Sequence, residues 1–148
     1  MYKDLEQISS KSFVRSYKRN NILYVKISGK MDLVDNAQIA NECAHIAKND
    51  GPWIGIADLC EMTGFNSKGT DVWREVFGPI TKNISSVYIA TTSVTTRMVT
   101  QAWGLFVKKK INAFNTMPEL VAEAKTHNLY LPEDIILLRT LPTRPNAR

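Results

Sequence analysis

The chain has 148 residues, of which 44% are hydrophobic and 22% charged. This balance predicts one globular domain with its own hydrophobic core. No apolar run approaches the roughly 18 residues that a membrane-spanning helix needs, and the first residues lack the apolar stretch of a secretory signal. We therefore expect a cytoplasmic protein without a membrane span.

The net charge of +5 raises the question of nucleic-acid binding. The positive residues are spread along the chain, and no helix-turn-helix, zinc-finger or RNP-like signature accompanies them. The densest run, residues 108–110, falls where a helix is predicted to end, and there it complements the negative end of the helix dipole. The sequence therefore does not favour a nucleic-acid partner.

Catalytic and metal-binding residues are sparse. Cys43 and Cys60 are too far apart for a CxxC motif, and His45 and His127 stand singly, whereas a zinc site needs about four ligands at close spacing. No serine or cysteine lies in a nucleophile elbow. Asp58 and Glu61 lie near the end of one predicted strand, but two carboxylates alone specify no reaction. We expect no metal, no cofactor and no enzymatic activity.

The N-terminal part predicts a β-hairpin. Residues 12–18 alternate loosely between apolar and polar, and residues 22–28 are rich in β-branched and aromatic side chains. Between them lie Asn20 and Asn21, which tolerate a left-handed turn. Gly29 is expected to end the second strand.

The middle of the chain alternates between helix and strand. Helical spacing of apolar residues that begins with Val34 predicts a helix over residues 34–48, capped by Asp32 or Asp35. Residues 53–59 form a nearly continuous apolar run, which is typical of a strand buried on both faces of a parallel sheet. A loop at 63–66 then leads to a helix over 67–77.

The C-terminal half repeats this alternation. It predicts a strand at 85–91, a helix at 95–110 with Met98 on its main apolar face, and a strand at 111–115. Thr116 and Glu119 have the spacing of a capping box and start a helix that ends near residue 126. The apolar cluster that follows either folds back on the core or pairs with another subunit. The fold class is therefore α/β, with a mainly parallel sheet of about five strands, an N-terminal hairpin and four helices.

Three short segments carry recognisable motifs: residues 29–32 (GKMD), 58–69 (DLCEMTGFNSKG) and 113–116 (AFNT). Together they resemble the STAS family of anti-sigma-factor antagonists. Residues 29–32 (GKMD) are similar to the family's G-x-L-D element, and residues 58–69 (DLCEMTGFNSKG) align without a gap to its D-L-S-x-V-x-F-I-D-S-S-G signature. Residues 113–116, with Glu119 and Leu120, are similar to its last strand and helix. The resemblance spans about residues 12–128, so we assign 1–129 to a STAS-like domain and 130–148 to a C-terminal extension or tail.

The resemblance implies a sheet with helices packed largely on one side and a regulatory role. In the bacterial branch of the family, an anti-sigma kinase phosphorylates a serine of the D-S-S-G loop, and Ser67 is the matching residue. It implies an anti-sigma kinase or another signalling protein as partner, and it leaves a homodimer open. Other branches bind lipids or small ligands. This chain departs from the signature at Asn66 and Lys68, which make the loop about two charge units more positive.

Ser67 has two interpretations. A serine at a helix start can cap the helix, as can Asn66, and a phosphate there would add about −1.5 to −2 charges beside the positive end of the dipole. The predicted partner-binding residues run from the same loop into the helix: Asn66, Lys68, Thr70, Trp73 and Phe77. The two aromatic residues at the end of this list either form an exposed ridge or pack inward.

A second group of polar residues follows the strand at 85–91. Ligands of open α/β sheets bind at the carboxyl ends of strands, so these residues could hold an anion, a small ligand or a lipid headgroup. Helix capping explains the same pattern. The residues are Thr92, Ser93, Thr95 and Arg97.

Overall fold

The computed structural model describes residues 6–9, 12–17, 20–66, 68–132 and 135. Within these residues, six strands form one sheet, and their order across the sheet is their order along the chain. The first three strands are antiparallel to one another, and the third to sixth are parallel. The strands are β1 (Glu6–Ser9), β2 (Ser12–Tyr17), β3 (Ile22–Met31), β4 (Trp53–Phe65), β5 (Ile84–Ala90) and β6 (Ile111–Phe114).

The same residues hold four α-helices, one after each parallel strand, and a short 3-10 helix at Gly78–Asn83. The α-helices are α1 (Leu33–Ala47), α2 (Gly69–Phe77), α3 (Val94–Val107) and α4 (Met117–Thr126). Neighbouring parallel strands that follow each other in sequence place their right-handed crossovers on one face of the sheet. This arrangement confirms the predicted α/β class and the predicted position of most helices on one side.

The two faces of the sheet have separate hydrophobic cores. On the face of α1 and α2, Ile39, Cys43 and Phe77 pack on Val25 and other β3 and β4 side chains, and we call this the main core. On the opposite face, residues of α4 pack on Ile22, Tyr24 and Tyr88. Ile135 is fully buried in this second core, and Leu129 and Leu131 pack against it. The described part of the chain after α4 therefore folds back on the sheet.

The expected number of strands differs slightly from the structure. The hairpin of β2 and β3 is present, and Asn21 adopts the left-handed conformation with φ 55°. β1 adds a sixth strand on the antiparallel edge. Its sequence, EQIS, carries one large apolar residue and no alternation, so periodicity gives no signal there.

Two strands continue beyond their predicted ends. Gly29 was expected to end β3, but it has φ 77° beside an irregularity in the pairing, and the strand runs on to Met31. β4 was expected to end at residue 59 with a loop at 63–66, yet it continues to Phe65 because Lys30 and Met31 pair with its last residues. β3 and β4 keep pairing beyond their predicted ends because bulges shift their register, and local sequence patterns do not reveal bulges.

The helix boundaries also shift. α2 begins at Gly69, two residues after its predicted start. α3 ends at Val107, and Lys108 takes φ 62°, so the predicted continuation to residue 110 is wrong. The basic run therefore follows the end of a helix, where it complements the dipole. Asp32 caps α1 in a reciprocal capping box with Asp35.

Candidate functional site

The helices on the main-core face begin at one edge of the sheet. Because β3, β4 and β5 are parallel, the starts of α1, α2 and α3 lie together at their carboxyl ends. The backbone N–H of Asn66 donates to the carbonyl of Met31 at 3.1 Å and so joins the β4–α2 loop to the end of β3. We call this side of the molecule the carboxyl edge.

The β4–α2 loop forms a compact turn at this edge. Asn66 Oδ1 accepts a hydrogen bond from the backbone N–H of Lys68 at 2.9 Å, and the Asn66 carbonyl accepts one from Gly69 at 2.8 Å. Lys68 occupies the N-cap position of α2 without a side-chain capping bond. Asn66 and Lys68 are both exposed. The phosphorylation candidate, Ser67, lies between them but outside the described residues.

A close contact with α1 fixes the first turn of α2. Gly69 is buried, and a Cβ at this position would lie 2.8 Å from the Cγ of Asn36. Asn36 is itself fully buried; its Nδ2 donates to the Asp32 carbonyl at 2.8 Å, and its Oδ1 accepts from Trp73 Nε1 at 2.9 Å. Glycine is needed here because any side chain would occupy the space of the Asn36 amide.

The aromatic residues of α2 face inward. Trp73 and Phe77 stack with ring centroids 5.4 Å apart, and both pack against the main core. Phe77 is buried, Trp73 is half-buried, and Thr70 is half-buried one turn earlier. The exposed aromatic ridge considered from the sequence is therefore not formed, because this stripe of the helix covers the sheet.

The exposed apolar side chains lie elsewhere. Among the side chains that the structure describes, five large hydrophobic ones are exposed, and four of them lie within the first five residues of α1 or α3: Leu33, Val34, Val94 and Met98. Val34 and Met98 are each 65% exposed, although their spacing had placed both on buried faces. The strand order places the starts of α1 and α3 on either side of the β4–α2 loop at the carboxyl edge. Sequence analysis did not identify these apolar residues as functional.

The polar residues after β5 are used in local structure. Ser93 Oγ accepts the backbone N–H of Thr96 at 3.1 Å and so caps the start of α3, while its own N–H donates to Thr91 Oγ1. The Arg97 guanidinium donates to the Thr91 carbonyl and to Asn115 Oδ1. Thr92 and Thr95 are exposed. The geometry matches helix capping, and anion or ligand binding at this position stays a prediction.

The carboxylates Asp58 and Glu61 belong to a polar cluster on the α4 face. Lys26 is 2% exposed, and its ammonium lies 3.3 Å from Glu61 Oε2; Ser28 Oγ donates to Glu61 Oε1 at 3.2 Å. Asp58 lies beside Lys26 in the strand register and accepts the N–H of Cys60 at 3.2 Å. The two carboxylates compensate the buried positive charge of Lys26 between β3 and β4. This structural role accounts for Asp58 and Glu61, and no catalytic role is needed to explain them.

The two cysteines differ in environment. Cys43 is buried in the main core, and burial, with a smaller contribution from the Glu42 carboxylate, raises the pKa of its thiol to about 12. Cys60 is half-buried. Among the described residues, no group of three or more histidine, cysteine, aspartate or glutamate side chains is placed to hold a metal ion. No helix in the same part of the chain is long and apolar enough to cross a membrane.

The sequence matches no known family and no curated protein, but the fold has clear relatives among solved structures. An anti-sigma factor antagonist from Mycobacterium paratuberculosis superposes with a TM-score of 0.54 and 14% identity, over 78% of this chain and 96% of that one. An uncharacterised protein with a SpoIIAA-like fold from Shewanella loihica gives a TM-score of 0.53 and 15% identity, over 68% and 81%. At these identities the likeness shows the fold alone.

The chain therefore has a SpoIIAA-like fold, which agrees with the fold that the resemblance of the three sequence segments implied. One structural neighbour acts as an anti-sigma factor antagonist.

Proposed function

We propose that this protein is a non-enzymatic signalling module of the cytoplasm that binds a protein partner at the carboxyl edge, in the manner of an anti-sigma-factor antagonist. The main support is that exposed apolar side chains lie at the starts of α1 and α3, the helices on either side of the exposed β4–α2 loop. Single exposed apolar residues need no explanation, but a group of them with a polar rim is typical of protein interaction sites.

The edge has the composition of such a site. Val34 and Leu33 project from the start of α1, Val94 and Met98 from the start of α3, and the loop with Lys68 lies between them. The helix starts are held rigidly by capping bonds, so a partner would meet a preformed surface. A preformed surface lowers the conformational entropy that binding costs.

The loop also supplies a place for a switch. Asn66 and Lys68 are exposed on either side of Ser67, and Lys68 offers no side-chain cap to the N–H groups of α2. A phosphate on Ser67 would add about −1.5 to −2 charges to this loop. Desolvating that charge against a partner would weaken the complex.

The charge of the loop suggests the character of the partner. Asn66 and Lys68 make this loop more positive than the usual signature, so the partner surface that faces it should be acidic. A kinase suited to the usual acidic loop would meet a different charge here. We therefore propose an anti-sigma kinase or another signalling protein with an acidic docking surface.

Capture experiments test the edge directly. The full chain, with Val34→Asp, with Met98→Asp and with Tyr130→Asp, is used to capture partners from cells of its source. Tyr130 is the matched control, because it is 61% exposed and lies after α4 rather than at the start of α1 or α3. We expect the two edge variants to lose a partner that wild type and Tyr130→Asp retain. A partner lost only with Tyr130→Asp would place the interface elsewhere.

The switch has its own test. Protein isolated from its native cells is analysed by mass spectrometry for phosphate on Ser67, and Ser67→Ala and Ser67→Asp are compared in capture. We expect phosphate on Ser67 and loss of the partner with Ser67→Asp alone. An unmodified serine, with both variants capturing the same partner, would leave docking at the edge but remove the switch.

A further inference from the structure

A cavity of about 170 Å³, partly open to solvent, lies between the sheet and the helices α2 and α3. Its floor is formed by β3, β4 and β5, and its walls include Thr70, Trp73 and Phe77 of α2 with Thr96 and Thr100 of α3. The lining surface is almost entirely apolar, and none of the described lining residues is charged. Side chains beside a sheet normally pack closely against it, so an apolar space of this size next to the main core needs an explanation.

Small residues on the central strand keep the cavity open. Gly55 and Ala57 are alternate residues of β4 on the floor, where larger side chains would fill the space. A Cβ at Gly55 would reach only ordinary contacts, the nearest being Val87 Cγ2 at 3.7 Å. Gly55 also has no positive φ. Neither backbone crowding nor backbone conformation therefore requires glycine there, although glycine weakens a strand interior.

We propose that this cavity binds a small apolar molecule of roughly the size of benzene to indole. A dry cavity of about 150 Å³ in another protein binds benzene, so the volume is suited to a ligand of this size. Water is a poor occupant because it needs two to four polar partners, which the apolar lining does not supply. Thr100 Oγ1 already donates to the Arg97 carbonyl at 2.9 Å.

The site is separate from the proposed docking surface, but it adjoins that surface through two helices. In α3, Thr96 and Thr100 line the cavity, whereas Val94 and Met98 are exposed. The inner side of α2 lines the cavity, and the loop with Asn66 and Lys68 leads into the same helix. Occupancy should therefore restrict the opening of α2 and slow the exchange of its backbone amides. This effect needs no partner protein and does not rest on the proposed function.

Methyl-detected NMR of the full chain during titration with benzene tests the site. We expect shifts at Val87 and Ile89, which line the cavity, and none at Ile22 and Ile135, which lie on the other face of the sheet. Amide exchange in α2 should slow in the same samples. Shifts spread over both faces, or none at saturating benzene, would overturn the proposal whether or not any variant folds.

Substitutions at one position then link binding to the cavity. Gly55→Ala and Gly55→Val fill part of the space, and we expect the second to weaken benzene binding at least about tenfold and the first to weaken it less. Gly78→Ala is the matched control, because a Cβ there meets nothing within 4 Å and Gly78 does not line the cavity. Equal affinity for benzene in wild type and in all three variants would contradict a site next to Gly55.

The probe series distinguishes a small free molecule from a lipid chain. Indole and 1-hexanol are titrated beside benzene, with hexadecanoate as the long-chain probe. We expect competition among the three small probes and no displacement by hexadecanoate, whose chain exceeds the cavity. Displacement of benzene by hexadecanoate at a similar affinity would overturn the proposed ligand size.

Discussion

The indole Nε1–H of Trp73 donates a hydrogen bond of 2.9 Å to the buried Oδ1 of Asn36, and this bond joins α2 to α1. The same amide donates to the Asp32 carbonyl at the start of α1. One buried side chain therefore links α1 to α2, two of the three helices that begin at the carboxyl edge. The orientation of the β4–α2 loop depends on it.

Replacing Asn36 tests this dependence. Asn36→Ala leaves the N–H of half-buried Trp73 without its partner and removes a fully buried amide, so we expect a loss of about 2 kcal/mol in the free energy of unfolding. Asn41→Ala is the control, because Asn41 makes the same type of bond to a carbonyl one turn earlier but is exposed. It should change stability by less than about 0.5 kcal/mol. Urea unfolding measures both, and equal effects would contradict the buried link.

The contact between Gly69 and Asn36 gives a steric prediction. Gly69→Ala would place a Cβ 2.8 Å from Asn36 Cγ, so α2 must move away from α1, at a cost of about 2 kcal/mol. Gly78→Ala adds the same methyl group in open space and should be nearly neutral. Thermal unfolding compares the two variants. A neutral Gly69→Ala would show that α2 is not held closely against α1.

Cys43 gives a pH dependence. The pKa of its thiol is raised to about 12 in the folded protein, against 9.0 for an unperturbed thiol, because burial disfavours the thiolate. The unfolded chain therefore loses this proton first, and the contribution of Cys43 to stability is complete below pH 9 and falls as the pH rises from 9 towards 12. The expected loss is about 1.4 kcal/mol per pH unit in that range.

Unfolding in urea from about pH 8 to about pH 11 measures this slope. Cys43→Ala should show a shallower fall than wild type, because it lacks the buried thiol. The same slope in wild type and Cys43→Ala would show that other groups cause the loss.

The Lys26–Glu61 pair predicts an effect that depends on burial. The Lys26 side chain is 3% exposed, and Glu61→Gln removes a negative charge that compensates its ammonium. We expect a loss of about 1 kcal/mol in the free energy of unfolding, because the Glu61 side chain is half in solvent. Glu123→Gln breaks a pair of the same 3.3 Å length with His127, whose side chain is 61% exposed. That control should be nearly neutral. Equal losses in urea unfolding would mean that burial of the cation does not matter.

Local signals predicted much of the fold. The Asn20-Asn21 turn, the cap at Asp32 and the capping interaction of Thr116 with Glu119 all appear in the structure, because each depends on residues close in sequence. The alternation of strands and helices predicted the parallel sheet. The motifs at residues 29–32 and 58–69 identified the STAS-like fold at an identity too low for sequence comparison to find it.

Features that depend on distant contacts were not predictable in this way. The lengths of β3 and β4 follow from bulged pairing between them, so Gly29 did not end a strand. Spacing showed that Trp73 and Phe77 share one side of α2, but not that this side meets the sheet. In the same way it could not show that Met98 faces outward. Which face of a helix is covered is decided by the packing of the whole domain.

Site-specific photo-crosslinking tests the central claim, that the carboxyl edge is the partner-binding surface. A photoreactive amino acid is placed at Val34, Lys68 or Met98 at the edge, and at the exposed positions Lys48 and Lys82, which lie at the opposite ends of the parallel strands. We predict that the edge positions crosslink one protein partner in cells and that the opposite positions do not. Crosslinks to that partner from Lys48 or Lys82, with none from the edge, would contradict the account.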